Sequence, residues 1–230
     1  CIVLRTFAQA KIEEVAACAD VPVINALTDA YHPCQILADF LTIVEHGKQL
    51  EGLKLTYVGD GNNMANTYLE GGALCGMHVR IASPEGYEVD PEVFAQCQAA
   101  ADKYGTGATL ELMRDPVAAV EDADVVLTDT WTSMGDEAEH DMRVAAFQGY
   151  QVNAELMAHA AEGALFMHCL PAHRGEEVTD EVMRAPYSVI YDEAGNRLHA
   201  QKAVMSLLMG VPAPAAALEA AEAVAGRWHA

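Results

Sequence analysis

Basic residues are scarce in this 230-residue sequence: 13 lysines and arginines stand against 34 aspartates and glutamates, for a formal net charge of −21. Such an acidic balance argues against nucleic acid or an anionic membrane surface as a partner. If the ligand is itself an anion, the few arginines must be concentrated where it binds. Arg5 and Arg197 are two of the few that stand beside apolar runs. Surface ion pairing is the alternative explanation for both.

Long apolar runs and paired cysteine motifs are also missing. No continuous apolar stretch is long enough to cross a bilayer, and none of the six cysteines forms a CxxC pair. A chain of this size does not need a disulfide scaffold, so we expect a reducing, cytoplasmic compartment. The first residues contain no initiator methionine, basic region or signal-peptide cleavage pattern. We therefore expect the sequence to be part of a longer protein.

Short apolar runs alternate with helical patterns along the chain. This alternation predicts an α/β fold with a doubly wound, largely parallel sheet, in which right-handed crossovers place helices on both faces. The alanine- and glutamate-rich tail after Pro214 is predicted to be helical. We predict strands at residues 2–7, 21–24, 53–58, 78–82, 109–113, 124–128, 164–167 and 189–191, and helices at residues 9–19, 34–46, 63–75, 91–103, 153–160 and 195–209.

Segments rich in polar residues follow several predicted strands and begin at Gly59, Asp129, His168 and Asp192. In an open α/β sheet, ligands bind outside the carboxyl ends of the strands, so these positions are candidate site residues. The Gly-Asp-Gly that starts at Gly59 could open a dinucleotide fingerprint, but Met64 stands where the third glycine is needed. A tight turn whose asparagines cap the next helix, or a polar ligand site, remain open. Asp129 can hold a cationic amine or cap the segment that follows it.

The segment His32-Pro33-Cys34-Gln35 opens a predicted helix, and a proline suits the first helical turn. His32 and Gln35 can both point from that turn. Unpaired N–H groups and the helix dipole favour phosphate groups at such an end. A histidine N-cap beside a solvated glutamine is the alternative.

A second cluster comprises His168, Cys169 and His173, with Glu176 nearby. These residue types suggest zinc, but no second spaced His/Cys pair follows and Pro171 stiffens the loop, so we predict no metal there. Cys169 could instead be a nucleophile, since basic side chains are near it in sequence. A buried, inert cysteine is the third interpretation.

Together, and in this order, these segments resemble the aspartate/ornithine carbamoyltransferase family, and specifically its ornithine branch. The resemblance covers essentially the whole chain. His-Pro-x-Gln is shared across the family, whereas Ser-Met-Gly and His-Cys-Leu-Pro are specific for the ornithine branch. The matching segments are LRTFAQ (4–9), VPVINALTDAYHPCQILADFLTI (21–43), VGDGNNMANT (58–67), TDTWTSMG (128–135), HCLPAHRGEEV (168–178) and DEAGNRLHAQKAVMSLL (192–208).

The resemblance implies transfer of the carbamoyl group from carbamoyl phosphate to the side-chain amine of L-ornithine, giving L-citrulline and phosphate, with no cofactor. It implies that carbamoyl phosphate is contacted by Arg5, His32, Gln35 and Arg197. It implies that ornithine is held by Asn63, Asp129, Ser133 and Met134, and that the reacting centre is lined by Cys169 and Leu170. The residues expected to be catalytic are Cys169, His32 and Arg197.

The residue types suit this chemistry. His32 can donate a hydrogen bond to the carbonyl oxygen as negative charge develops there. We expect Cys169 to position the amine and help to deprotonate it without becoming a covalent nucleophile, although burial near Asp129 should oppose formation of a thiolate. The Ser133-Met134-Gly135 loop is expected to be a mobile cover that excludes water.

The resemblance also predicts the architecture. Residues 1–33 would be the remnant of an α/β carbamoyl-phosphate lobe, residues 34–46 an interdomain helix, residues 47–193 the ornithine-binding lobe, and residues 194–230 helices that return to the first lobe. A trimer or a multiple of trimers is implied. The family's Ser-x-Arg-Thr-Arg phosphate loop has no match in these residues. We therefore expect this fragment alone to be weak or inactive.

Three other functions stay open at this point. The acceptor could be another amine, such as putrescine or an acylated ornithine. The chain could be a non-catalytic binding subunit with a degenerate site. A nicotinamide-dependent oxidoreductase is disfavoured by Met64.

Overall fold

The computed structural model describes residues 1–132 and 137–211 and contains two parallel sheets. Strands β1 (Ile2–Arg5) and β2 (Val23–Leu27) form a two-stranded sheet. The larger sheet has five strands in the order β5-β4-β3-β6-β7, all of them parallel. The predicted α/β class with a parallel sheet is confirmed. The larger sheet comprises β3 (Lys54–Val58), β4 (His78–Ala82), β5 (Thr109–Met113), β6 (Val125–Thr128) and β7 (Leu165–His168).

The strand order changes direction beside β3, which lies between β4 and β6. The chain therefore continues from β3 toward β4 on one side and from β6 toward β7 on the other, which leaves a crevice between the carboxyl ends of β3 and β6. Such a switch point is where open α/β sheets bind ligands. Asn62 and Asp129, which follow these two strands, lie on its two sides.

Nine α-helices occur in residues 1–132 and 137–211. Several begin with a proline, an asparagine or an aspartate cap, as the sequence patterns indicate. The helices are α1 (Gln9–Cys18), α2 (Pro33–Glu45), α3 (Asn63–Cys75), α4 (Pro91–Tyr104), α5 (Pro116–Val120), α6 (His140–Ala146), α7 (Ala154–Met157), α8 (Asp180–Arg184) and α9 (Ile190–Leu208), with a 3₁₀ turn at Glu137–Glu139. The short helices α5, α6 and α8 were not predicted.

The predicted strand at residues 189–191 is wrong. Val189 is the N-cap of α9, which begins at Ile190, five residues before the predicted start of that helix. The apolar run arises because the entry to α9 is buried beside β7, where the Val189 N–H donates to the Phe166 carbonyl (3.0 Å). The helix predicted at 153–160 is also shorter, since α7 ends at Met157. The predicted tail helix after Pro214 lies outside the described residues.

Two groups of buried apolar side chains fill the space on the faces of the large sheet. One group joins the sheet to α2, α3 and α4, and includes Phe40, Tyr57 and Leu69. The other joins it to α5, α7 and α8, and includes Val126 and Phe166. Burial of this apolar surface is the main favourable free energy for the fold.

Helices α2 and α9 pack against each other. The Asn196 amide of α9 donates to Thr42 Oγ1 (2.9 Å) and to Glu45 Oε2 (2.7 Å), both on α2. The packing of these two helices brings the start of α2 next to Arg197.

The four-part domain division stays a prediction. Within the described ranges, no helix combines the length and apolar character needed to cross a membrane.

Gly61 gives a test of the crevice geometry. A Cβ added there would lie 2.3 Å from the backbone of Glu88 and Val89. We expect Gly61→Ala to lower the free energy of unfolding by about 1–3 kcal/mol, because backbone must shift. Gly195, in the exposed face of α9, has open space around it. Gly195→Ala should therefore raise stability by up to about 1 kcal/mol. Urea denaturation measures both, and equal effects would contradict the close backbone approach at Gly61.

Candidate functional site

One part of the candidate site lies at the start of α2. The His32 backbone N–H donates to Thr67 Oγ1 (2.9 Å) and fixes the entry to the helix. One turn later the buried Gln35 Oε1 accepts from Arg197 Nη1 (2.8 Å). Arg5 ends β1 and is exposed. It is close enough to His32 to influence its titration, so the structure brings both predicted arginines to the same histidine.

His32 is neutral at physiological pH. Burial lowers the pKa of His32 to about 4, with further lowering from the positive charges of Arg197 and Arg5. Its Nδ1 is buried and has no hydrogen-bond partner among the residues that the structure describes. A neutral imidazole retains one N–H donor, so His32 can stabilise developing negative charge without carrying a positive charge itself.

The other part of the candidate site joins the ends of β6 and β7. Cys169 Sγ donates to Asp129 Oδ1 (3.1 Å), and the Thr130 N–H donates to the same oxygen (2.8 Å). Asp129 Oδ2 accepts from the Asn62 amide (3.1 Å). Asn62 also caps α3, since its Oδ1 accepts from the Met64 N–H (2.9 Å). The carboxylate is therefore held at both oxygens and has a fixed orientation.

Cys169 is a thiol in this arrangement. Burial raises the pKa of Cys169 well above its usual value, and the nearby negative charge of Asp129 raises it further. The expected opposition to a thiolate is thus present in the geometry. A neutral thiol can donate to Asp129 and can also accept a hydrogen bond from an approaching amine.

The loop after β7 has an unusual backbone. Leu170 has a φ of 58°, in the left-handed region that non-glycine residues rarely adopt, and its peptide bond to Pro171 is cis. The Leu170 N–H donates to Nδ1 of the buried His168 (2.9 Å). Nδ1 is therefore the acceptor and Nε2 carries the proton, which points to Glu177 Oε1 (3.2 Å). A non-glycine residue held at a positive φ, as Leu170 is, is typical of functional sites.

A buried polar network connects the two parts of the site. Gln35 Nε2 donates to Asp39 Oδ1 (2.9 Å) and to Glu193 Oε1 (3.2 Å). Glu193 Oε2 accepts from the His168 N–H (2.8 Å), directly before Cys169. Tyr68 OH donates to Asp39 Oδ2 (2.6 Å). A continuous path of hydrogen bonds therefore runs from Arg197 to the backbone that carries the thiol.

Asp39 and Glu193 share one proton in this network. Both carboxyl groups are fully buried. Burial raises the pKa of Asp39 to about 6, and burial together with the charge of Asp39 raises the pKa of Glu193 well above its usual value. Hydrogen bonds from Gln35 and Tyr68 favour the charged form of Asp39. Glu193 is thus the protonated member and can donate to Asp39.

Asn63 does not contact Asp129. Its amide donates to the Thr28 carbonyl (2.8 Å), in the connection that follows β2, and Asn62 is the asparagine that contacts Asp129. Leu170 follows Cys169 in the chain, and its place at the reacting centre stays a prediction. Ser133 and Met134 lie outside the described residues. Whether the predicted side chains touch substrate stays a prediction.

Three residues in the network were missed by sequence reasoning: Asp39, Glu193 and Tyr68. Helical spacing held a signal for two of them. Asp39 lies four residues after Gln35, and Glu193 lies four residues before Arg197, so each shares a helix face with a predicted site residue. No comparable signal exists for Tyr68, whose role depends on how α3 packs against α2.

The family assignment follows from comparison with known proteins. The model of the aspartate/ornithine carbamoyltransferase Asp/Orn binding domain matches residues 51–208. The model of the carbamoyl-P binding domain of the same family matches residues 1–45. The chain belongs to the aspartate/ornithine carbamoyltransferase family. The resemblance found in the sequence motifs is confirmed.

Individual relatives agree with this assignment. The ornithine carbamoyltransferase of Symbiobacterium thermophilum is 57% identical over 208 residues, which are 90% of this chain and 66% of the relative. That of Thermococcus kodakarensis is 53% identical over 209 residues, 91% of this chain and 66% of the relative. The ornithine carbamoyltransferase structure from Pyrococcus furiosus superposes with a TM-score of 0.85 at 49% identity, covering 92% of this chain and 68% of that one. The chain thus spans about two thirds of the length of the curated relatives it matches.

Alkylation tests the electrostatic setting of Cys169. We expect its rate of reaction with iodoacetamide to rise only at a pH above the ordinary cysteine range of about 8.5, because burial and Asp129 both disfavour the thiolate. Asp129→Asn should move this profile to lower pH by removing the negative charge. Mass spectrometry can follow Cys169 and the exposed Cys18 in the same sample, and Cys18 provides the internal control. An unchanged profile in the variant would refute the role given to Asp129.

Proposed function

We propose that the protein containing this chain transfers the carbamoyl group of carbamoyl phosphate to the side-chain amine of L-ornithine, giving L-citrulline and phosphate. The observation that carries the proposal is the pairing of two environments. Arg197, Gln35 and a neutral His32 lie at one end of a continuous hydrogen-bond path. At the other end, the Cys169 thiol donates a hydrogen bond to the fixed carboxylate of Asp129. Membership of the family supports this assignment.

The cationic end suits carbamoyl phosphate. Guanidinium groups make charge-assisted, often bidentate hydrogen bonds to phosphate, which fits Arg197 and Arg5. The amino end of α2 adds N–H donors and the positive end of the helix dipole. Neutralising the phosphate makes it a better leaving group, so the protein needs no cofactor for this step.

His32 and Gln35 suit the carbamoyl group itself. A neutral His32 can donate to the carbonyl oxygen as the tetrahedral intermediate forms. Gln35 Oε1 already accepts from Arg197, but a carbonyl oxygen has a second lone pair with which to orient the carbamoyl NH₂. The amine nitrogen forms a bond to the carbonyl carbon and the bond from that carbon to the phosphate oxygen breaks. The departing phosphate takes up the proton that the amine nitrogen loses.

The anionic end suits the amine substrate. Asp129 can attract the charged α-amino group of ornithine or its side-chain ammonium. Removal from water lowers the pKa of an alkyl ammonium, which favours the neutral, reactive amine. Cys169, as a thiol, can accept a hydrogen bond from that amine and hold it for attack. We therefore assign Cys169 a positioning role at the reacting centre and do not assign it a covalent intermediate.

The finer expectations belong to this proposal. They comprise a place in arginine metabolism and amino-acid biosynthesis, a cytoplasmic location, and a homotrimer or a multiple of trimers. Ser133 and Met134 are proposed to contact ornithine together with Asn63. Carbamoylation of putrescine or of an acylated ornithine is the competing activity.

The test is a comparison of acceptors with the complete protein. Purified enzyme with carbamoyl phosphate should convert L-ornithine to citrulline, and should use putrescine or N-acetylornithine far less well, because these lack a free amino-acid end for Asp129 and its neighbours. Preference for putrescine would favour the competing activity. Absence of any carbamoylated product would indicate a non-catalytic subunit.

Two variants of the complete protein separate the two ends of the site. We expect Arg197→Ala to lower kcat/KM for carbamoyl phosphate by about 30-fold or more, the effect of losing one member of a charged hydrogen-bonded pair. Asp129→Asn should raise KM for ornithine and leave KM for carbamoyl phosphate nearly unchanged. The exposed Arg184, which pairs with Asp180 on α8, supplies the control variant Arg184→Ala. Equal loss in all three variants would contradict the assignment.

A further inference from the structure

A second cluster of ligand-type side chains lies on the segment between β7 and α8, away from the thiol. His173, Glu176 and Glu177 each place one nitrogen or oxygen within 4.8 Å of the others. His173 Nδ1 is 3.9 Å from Glu177 Oε2. The proposed carbamoyl transfer makes no use of these three side chains.

Glu177 is the member that points to a ligand. It is fully buried, and its Oε1 accepts from His168 Nε2 (3.2 Å) and from the His173 N–H. Its Oε2 is also buried but has no hydrogen-bond partner within residues 1–132 and 137–211. A buried carboxyl oxygen without a partner is costly, and most such atoms in proteins are satisfied. This oxygen faces the His173 ring, so a cation between them would satisfy it.

Glu176 and His140 extend the cluster. Glu176 Oε2 is a second buried oxygen for which the described part of the chain offers no partner. Its Oε1 is 3.7 Å from Nε2 of His140, at the start of α6. His140 Nδ1 is 3.2 Å from Thr132 Oγ1, which orients the ring. His140 therefore adjoins the three-residue cluster on the side of Glu176.

We propose that His140, His173, Glu176 and Glu177 form a binding site for a divalent zinc-type cation. Imidazole and carboxylate are ligands that Zn²⁺ accepts in tetrahedral sites, with bonds of about 2.0–2.2 Å. Ligand atoms around such an ion are about 3.4 Å apart. The ligand atoms of His173, Glu176 and Glu177, which lie within 4.8 Å of one another, would therefore move closer, and His140 would approach them from the side of Glu176. His168 completes the arrangement, because its Nε2–H group donates a hydrogen bond to Glu177 Oε1 and so orients the ligating carboxylate.

A cation can reach this cluster from solvent. A cleft of about 240 Å³ opens beside Glu176 and is lined by Trp131, Gln148, Gln151 and Asn153 among others. His173 is itself half exposed. An entry path, a suitable ligand set and an orienting partner are the features that a metal site requires.

The rival explanation is a simple ion pair, in which a protonated His173 lies beside Glu177 and no metal binds. A further complication is that Asp129, His168 and Cys169 also group three ligand-type atoms. The experiment must therefore separate the two clusters. Cys169→Ser removes the thiol of that other group and leaves the proposed site intact.

The test measures Zn²⁺ binding to the full chain in the Cys169→Ser background, by titration calorimetry and by metal analysis after removal of loosely bound ions. We expect one Zn²⁺ per chain, and His173→Ala should weaken its binding by at least about 10-fold. His159→Ala changes an exposed histidine outside the cluster and should leave binding unchanged. Co²⁺ in place of Zn²⁺ should give the absorption of a tetrahedral nitrogen–oxygen site, and His140→Ala should alter that absorption.

Three results would overturn the proposal. The first is no Zn²⁺ binding in the Cys169→Ser background while the unsubstituted chain binds it. The second is binding that His173→Ala leaves intact. The third is the absence of binding in either chain, which would favour the ion pair. Since His173 is half exposed, its substitution should leave the fold intact, and circular dichroism checks this.

Discussion

The site depends on one buried amide. Gln35 accepts from Arg197 through its oxygen. Its nitrogen donates to two carboxyl groups that no cation of residues 1–132 and 137–211 contacts directly. Two negative charges side by side in that position would be very unfavourable. The protonated Glu193 resolves the conflict, since it carries no charge and still accepts from the His168 N–H. The helices α2 and α9 and the end of β7 are thereby fixed relative to one another.

This constraint divides the electrostatic character of the site. Burial, together with the positive charges of Arg197 and Arg5, lowers the pKa of His32 and keeps its imidazole neutral. At the other end, Asp129 and burial keep Cys169 in its thiol form. An anionic, activated acyl donor and a cationic amine would each meet the environment that suits them. Because the network is rigid and mostly buried, the separation between the two environments does not depend on flexible surface side chains.

Much of this could be predicted from the sequence, and the failures have physical causes. The strands at 78–82 and 109–113 and the helix at 63–75 match the structure because their periodicity and caps agree. The strand at 189–191 failed because a buried helix entry has the same apolar run as a strand. Arg197 and Gln35 were selected from motifs, yet the partners Asp39 and Glu193 depend on the packing of α2 against α9. The contact between Asn62 and Asp129 was not predicted, because it depends on the cap geometry of α3.

The most direct measurement compares the pH dependence of stability in the unsubstituted chain and in Glu193→Gln. When folding raises the pKa of a carboxyl group, the protein loses stability as the pH rises from the unfolded-state pKa of that group toward its folded-state pKa. As the pH rises above about 4.5, toward the raised pKa of Glu193, the free energy of unfolding of the variant should therefore increase relative to that of the unsubstituted chain, by up to about 1.4 kcal/mol per pH unit. Glu14→Gln, at an exposed position, controls for loss of a charge. Parallel curves for Glu193→Gln and the unsubstituted chain would mean that Glu193 is ionised in the folded protein, and would contradict the protonated network.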